Sequence, residues 1–462
     1  MNTRKKLLLI NPAREDRRGF LMNSFSKIPP INLAIIAALT PDTWEVKIQD
    51  ENFVRHIPED ADLVGLTAYT SNAPRAYEIA GICRSRGIKT VMGGIHASML
   101  PGEASLYVDS VVSGEAEDIW PGLLDDFENQ RLQPFYCAEM EKVVHQPLPR
   151  HDLLHPDYLF GSVQTSRGCP FDCDFCTVSS FNGKQFRTRP LEDVLEEINA
   201  IRQRFLIFVD DNLVGYSKSS YERSVELFSK MSERKLHKDW MGQVSMNVAD
   251  DPRVLKAAAK SGCRNLFIGF ETDDDEQLKG MDKKLNYKRG VSKYDEVIKK
   301  IHRHGISVLG AFMNGNASDT KESMHRRADY ILKSAIDICQ LSVLTPMPGT
   351  RLYNKLKQDS RIVLNNYPGD WKNYDALRSV VNYEGMTADE MNDFMEEIFV
   401  KIYNRRAVRL KFIRSLINTR SFTTAFWAYV SNYNYYRMTL EDKIMTGDPD
   451  YIFWKRTGRH NH

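Results

Sequence analysis

Short apolar runs recur along this chain, and most close on Gly, Asn, Asp or Thr just before a helix-like stretch begins. In residues 1–120 the runs are "LLLIN", "VKIQD", "LVGLTA", "TVMGG" and "SVVSG", separated by stretches such as "PPINLAIIAAL" and "APRAYEIAGICRSRG". Parallel strands need a crossover, usually a helix, to return to the same end of a sheet. This alternation therefore predicts a doubly wound parallel sheet. Ligands of such sheets bind beyond the carboxyl ends of the strands, and here that edge carries Thr67–Ser71, Gly93–His96 and Gly114–Glu117.

Residues 121–160 read as a linker, with "QPLPRHDLLHP" rich in Pro and His, and then the alternation resumes at a longer period. "SVQTS", "FLIFVD", "WMGQVSM", "NLFIGFE", "ISVLGAFM" and "DICQLSVL" are the strand candidates. Pro190 opens a helix whose Leu191, Val194, Leu195, Ile198 and Ile201 share one face. Gly262 and Gly305 stand where helix C-caps belong. Six βα units predict a partial (β/α)6 barrel, too few for the eight-fold form. From about residue 356 the chain reads as a helical tail, so the expected domains are 1–145, 146–355 and 356–462. A length of 462 residues accommodates three domains at roughly 100–200 residues each.

The net charge of +2 gives no reason to expect a nucleic-acid partner. No apolar run reaches the roughly 20 residues that cross a bilayer. "LLLI" is followed by "NPARED" rather than a small-residue cleavage site, so a cytoplasmic protein is expected. Seven unevenly spaced cysteines are no disulfide framework, and reduced thiols follow.

Three of those thiols lie together in "RGCPFDCDFCT" (167–177), directly after the first strand of the second series. Cys169, Cys173 and Cys176 have the spacing C-x3-C-x2-C, while Cys83, Cys137, Cys263 and Cys339 are solitary. Thiolates suit zinc or iron–sulfur clusters. Structural zinc takes four ligands, usually as two separated pairs, and no second pair exists. Four-iron clusters normally take four thiolates. Three in one loop leave one iron open to another ligand, at the strand ends where barrel chemistry sits.

With Phe175 just before the last cysteine, this motif resembles that of the radical S-adenosylmethionine superfamily. The resemblance implies a 4Fe-4S cluster on Cys169, Cys173 and Cys176, whose open iron chelates S-adenosylmethionine, and an electron donor such as flavodoxin or ferredoxin. In that family cleavage of the sulfonium releases a 5′-deoxyadenosyl radical. "FVDDN" (Phe208–Asn212), "GQVSMN" (Gly242–Asn247), "FIGFET" (Phe267–Thr272) and "LTPMPGTRLY" (Leu344–Tyr353) are similar to later landmarks of the same barrel. By analogy Phe175, Asp210, Gln243 and Glu271 contact S-adenosylmethionine, with Asp211 in the same mouth. The plainer alternative for acids after strands is helix capping or ion pairing.

Residues 1–145 resemble the Rossmann-like cobalamin-binding domain fused to many radical enzymes, through Pro29–Leu39, Val64–Ala80, Val91–Pro101 and Val111–Glu117. The resemblance implies cobalamin contacts from Thr70, Ser71, Asn72, Gly93, Gly94, His96, Gly114 and Glu115. Glycines and small hydroxyl residues let a backbone approach a large corrin. The D-x-H-x-x-G motif, whose His ligates cobalt in some cobalamin proteins, is absent, so cobalamin without a histidine on cobalt is expected.

Together the two parts resemble the cobalamin-dependent radical enzymes that methylate hopanoids, with the bacteriochlorophyll cyclase-like group beside them. The resemblance implies carbon methylation of a large, largely apolar or lipid-like substrate, or else oxidative cyclisation or rearrangement. A sulfur-inserting RNA-modifying enzyme would be expected to bring more cysteines in front and a small β-barrel behind. "KIYNRRAVRLKFIRSLINTRSFTTAFWAYVSNYNYY" (Lys401–Tyr436) combines many basic residues with aromatics and holds no acid. Its Ile402, Leu410, Ile413 and Ile417 fall on one face of a predicted helix. That face either packs on the barrel, leaving basic residues in solvent, or makes peripheral contact with an anionic membrane.

Overall fold

The computed structural model describes residues 4–14, 27–55, 60–138 and 146–445. Two parallel six-stranded sheets organise them. The first contains β1 (Lys5–Asn11), β2 (Trp44–Asp50), β3 (Leu63–Thr67), β4 (Lys89–Gly93), β5 (Ser110–Ser113) and β6 (Phe135–Cys137), in the order β2-β1-β3-β4-β5-β6. The order in which successive strands are added reverses between β1 and β3, the topological switch point at which such sheets bind ligands. "LLLI" is an unbroken apolar run because both faces of β1 are covered. Leu7 and Leu9 pack with Leu33 and Trp120 on one side, and Leu8 and Ile10 with Ala76 and Ile79 on the other.

The stretch read as a linker is partly structure: it holds a helix, Trp120–Glu128, and the edge strand β6. A three-residue strand with Phe135 and Cys137 exposed offers no alternation long enough to read.

The second sheet contains β7 (Phe160–Val163), then, beyond the small antiparallel arm of β8 (Ser166–Arg167) and β9 (Arg187–Thr188), β10 (Phe205–Phe208), β11 (Asp239–Val244), β12 (Cys263–Glu271), β13 (Ser307–Asn314) and β14 (Ile338–Val343). Its order is β14-β13-β12-β11-β10-β7, all parallel, so all six predicted barrel strands are present. Gly262 and Gly305 have positive φ, and a Cβ on Gly262 would fall 2.0 Å from the Lys238 carbonyl oxygen. Alternate side chains of the strands enter one large apolar cluster with the helices; the others face the lumen.

Six strands leave the barrel open, and its lumen needs a cover. The helix Phe422–Met445 supplies it. Trp427 meets Phe160 and Phe205 edge-on at 5.6 and 5.5 Å, and Ala428 packs on Leu309 and Ile338. Thr424 Oγ1 donates to Gly305 O and Asn432 Nδ2 to Asp337 O, both at 2.8 Å. All these partners lie at or just before the amino-terminal ends of strands, so the helix is the floor of the barrel and the opposite, carboxyl end is its mouth.

The tail is not uniformly helical. Tyr353, Leu356, Ile362, Trp371, Tyr374, Val380 and Val381 form a small apolar cluster before the last three helices, Ala388–Ile402, Arg405–Thr419 and Phe422–Met445. Trp371 Nε1 donates to both Glu103 oxygens, at 2.9 and 3.0 Å, tying this cluster to the first sheet's domain. Arg14 pairs with Asp375 at 2.8 Å. The predicted single face of Ile402, Leu410, Ile413 and Ile417 does not form. Ile402 is buried at the end of one helix, Asn404 caps the next, and the other three side chains face solvent. Among the described residues no helix is long and apolar enough to cross a membrane.

Trp371→Phe keeps the ring but leaves a half-buried carboxylate short of a donor. It should cost about 1–3 kcal/mol, read as a lower midpoint in urea unfolding; an unchanged midpoint would show that the tie is idle.

Candidate active site

The cysteine loop leaves the barrel through β8 and returns through β9, which pair antiparallel. Gly168, with φ of 86°, opens it, and a Cβ there would lie 2.2 Å from Gln185 O, so only glycine fits. Asp211 accepts from Gly168 N at 3.1 Å and Asn182 Nδ2 at 2.8 Å. On its far side Arg351, from the "LTPMPGTRLY" segment, pairs with Asp172 at 2.7 Å and donates to Asp174. Leu352 N donates to Asp174 O at 3.0 Å. The loop is thus pinned at both ends before any ligand arrives.

Cys173 is buried and Cys169 and Cys176 half-buried. Burial pushes Cys169 up to about 11 and Cys176 up to about 12, while the Lys283 ammonium pulls all three thiols down. Ligation requires the thiolate, and Lys283 is the cation this site provides for it. Burial opposes the Lys283 charge, but Glu271 and the thiols outweigh burial and raise its pKa. Lys283 Nζ donates to Glu271 Oε1 at 2.5 Å and lies 5.9 Å from the centre of the Phe175 ring. Among the described residues no three carboxylate, imidazole or thiol groups converge closely enough to hold a single metal ion. Three thiols on one short pinned loop, with the Lys283 ammonium beside them, fit the ligand set of an iron–sulfur cluster.

Glu271 ends β12 with φ of 70°, and the pairing with β13 shifts register there. A Cβ on Gly269 would come within 2.3 Å of Glu271 Oε1, so a side chain there would displace the carboxylate from its present position. Gln243 is exposed on the lumen side of β11; its backbone carbonyl accepts from Leu213 N at 2.9 Å and its side-chain amide has no partner among the described residues. Asp210 differs from expectation. It is buried and accepts from Thr165 N, Thr165 Oγ1 at 2.8 Å and Ser166 Oγ at 2.6 Å, so its carboxylate holds the corner between β7 and β8 rather than facing the mouth. Asp211 is likewise spent on the cysteine loop.

The edge of the first sheet lies against this loop. Gly94 and Gly114 both have φ of 87°, and a Cβ on Gly94 would lie 2.6 Å from Thr67 Oγ1. Gly93 ends β4 partly exposed. Thr70, Ser71 and Asn72 form one buried turn, with Asn72 Nδ2 donating to Pro12 O at 3.0 Å. His96 has no exposed surface; its Nε2 is 2.8 Å from the Tyr77 hydroxyl and its Nδ1 3.4 Å from Thr70 Oγ1. It braces the edge from beneath and cannot reach a ligand above it. Ser113 Oγ, at the end of β5, and Gln146 Nε2 are buried without a hydrogen-bond partner among the described residues. A glycine-lined edge with an orphaned hydroxyl fits a large polar-rimmed group such as a corrin.

Glu115 is not free for such a group. It pairs with Arg167 at 3.0 Å and with Arg187, and Glu117 also pairs with Arg167. These arginines are the β8 and β9 residues that flank the cysteine loop, so the loop after β5 is clamped to it. Tyr69, 57% exposed, stands just after β3 on the same edge.

Comparison with known proteins matches both halves. Residues 163–331 match the radical SAM superfamily and residues 17–124 the B12 binding domain. The chain belongs to the cobalamin-dependent radical S-adenosylmethionine enzymes. The cofactors of this enzyme are accordingly a 4Fe-4S cluster, S-adenosylmethionine and cobalamin. It is 29% identical over 428 residues to the bacteriochlorophyllide d C-12(1)-methyltransferase of Chlorobaculum tepidum, covering 88% of this chain and 89% of that one. It is 25% identical to the hopanoid C-2 methylase of Rhodopseudomonas palustris, covering 78% and 72%. The fold is shared with the radical S-adenosylmethionine methyltransferase TsrM from Kitasatospora setae, with a TM-score of 0.63 at 17% identity over 77% of this enzyme and 75% of that chain.

Sequence reasoning missed Arg167, Arg187, Lys283 and Ser113. Arg167 stands two residues before Cys169, which was the one available signal; the others have none.

Cys173→Ala should abolish uptake of iron and sulfide under anaerobic reconstitution, and Gly168→Ala should lower it severalfold by displacing the loop. Zinc in place of iron in the parent protein would contradict both. Electron paramagnetic resonance of protein-bound cob(II)alamin should show no nitrogen splitting from an imidazole, because His96 is sealed below the edge; a histidine signal would overturn that geometry.

Proposed function

We propose that this enzyme transfers a methyl group to an unactivated carbon of a large, substantially apolar substrate. The carrying observation is the clamp of Glu115 and Glu117 on Arg167 and Arg187, which faces the cobalamin edge toward the cluster loop across one shared space. When bound, cobalamin supplies a methyl group there, and the cluster with S-adenosylmethionine supplies a radical that removes hydrogen from carbon. Thiolates of Cys169, Cys173 and Cys176 would hold the cluster. Glu271 and the unpartnered Gln243 amide face the lumen, where they would hydrogen-bond S-adenosylmethionine, with Phe175 against the Lys283–Glu271 pair. The clamp fixes the distance between the two reactive centres, and a misplacement of about 1 Å can cost on the order of a hundredfold in rate. The substrate class rests on the chlorin and hopanoid methylases among the relatives. It enters from the side, because the barrel floor is closed by the last helix.

The test is anaerobic turnover with methyl-labelled S-adenosylmethionine and candidate tetrapyrrole or polycyclic lipid substrates, using flavodoxin or ferredoxin as electron donor. Labelled carbon in the product supports the proposal. Deoxyadenosine formation with an unlabelled, ring-closed product would replace it with a cyclising reaction. Glu115→Gln should uncouple the two centres, cutting labelled product at least tenfold while deoxyadenosine formation persists; parallel loss of both would mean that the clamp serves only stability.

A further inference from the structure

The helix Arg405–Thr419 is packed inside out. The side it buries carries Ala407, Val408, Lys411, Ser415 and Thr419, and Lys411 Nζ donates to Ile336 O at 2.7 Å and Ile331 O at 3.2 Å. Its larger aliphatic residues face solvent, with Ile413 51% and Ile417 67% exposed. The neighbouring floor helix continues the same surface, with Phe422 66% and Phe426 51% exposed. Phe412 meets Phe422 at 6.3 Å and Tyr429 at 5.6 Å, and Phe422 stacks on Phe426 at 6.1 Å, so the rings of the two helices form one continuous patch. Apolar surface of this kind, rimmed by polar groups, marks an interaction site.

The rim decides the occupant. Arg405, Arg406, Arg409, Arg414 and Arg420 are exposed around the patch, and residues 401–436 contain no Asp or Glu. A second copy of this chain, meeting it across a two-fold axis, would set arginines against arginines. Residues 446–462 hold Asp448 and Asp450 against Lys455, Arg456 and Arg459, so that segment is itself net positive and does not complement the rim. An anionic bilayer complements both parts, with rings and aliphatic side chains at the head-group level and arginines on phosphates.

We propose that the outward face of these two helices docks on the surface of an anionic membrane. The floor of the barrel then faces the lipid while the space between the two sheets stays open to the side. The proposal is independent of which carbon is methylated.

The experiment is flotation of the full-length protein with vesicles of phosphatidylcholine alone or with about one-third phosphatidylglycerol. Binding is expected to the anionic vesicles, weakened by salt and weak on phosphatidylcholine. Each arginine near the surface is worth about a fivefold change in partition, so Arg406→Gln, Arg409→Gln and Arg414→Gln combined should lower it about a hundredfold. Ile417→Asp with Phe422→Asp should abolish binding while leaving deoxyadenosine formation and the unfolding midpoint near those of the parent. No binding by the parent to anionic vesicles, or equal binding to neutral ones, overturns the proposal. So does sedimentation equilibrium showing a dimer that the Ile417→Asp variant dissociates, since the patch would then belong to a second copy.

Discussion

The geometry of this enzyme depends on four charges held out of water between its two sheets. Glu115 bridges Arg167 and Arg187, and Glu117 adds a second hold on Arg167; all four side chains are largely buried. Buried ion pairs contribute little net stability, but losing one member is expensive because the survivor is stranded. Such a set resists partial opening, so it serves better as a spacer than as glue. Its placement is what matters: the acids stand on the loop after β5, beside Gly114, and the arginines on the two-stranded arm that carries the thiols. The edge of the first sheet and the cysteine loop are therefore held in one register.

Around that spacer each catalytic element is fixed by a local constraint. The cysteine loop can turn only because Gly168 lacks a Cβ, and Asp211 and Arg351 fasten its two ends. Glu271 points inward because a break in strand register puts it in a left-handed conformation over Gly269. Lys283 lies beside the Glu271 carboxylate and the thiols together, where its charge offsets theirs.

Much of this was legible in the residues. Strands covered on both faces give unbroken apolar runs, and the turns that end them need Gly or small polar residues, so eleven of the twelve main strands stand out. The thiols were legible because ligand chemistry restricts both residue type and spacing. What escaped depends on tertiary approach. "FVDDN" reads the same whether its acids face the mouth or turn back, and the structure sends Asp210 to Thr165 and Ser166. Arg167 and Glu117 are 50 positions apart in sequence, and no local pattern announces their meeting. The tail differs for a related reason: the predicted face ran from Ile402 to Leu410 across a helix break at Asn404 that periodicity does not show, and at Lys411 a long polar side chain takes the inward place.

The floor helix has a consequence for how the chain is made. Phe160 and Phe205 wall the lumen, but Trp427, which covers them, is synthesised far later. Contacts between such distant positions form slowly, because a long loop must close first. During translation the half-built barrel therefore exposes its apolar lumen from below until the ribosome has delivered the last helix. A nascent protein of this design depends on the speed of its own completion, or on chaperones, to avoid aggregation.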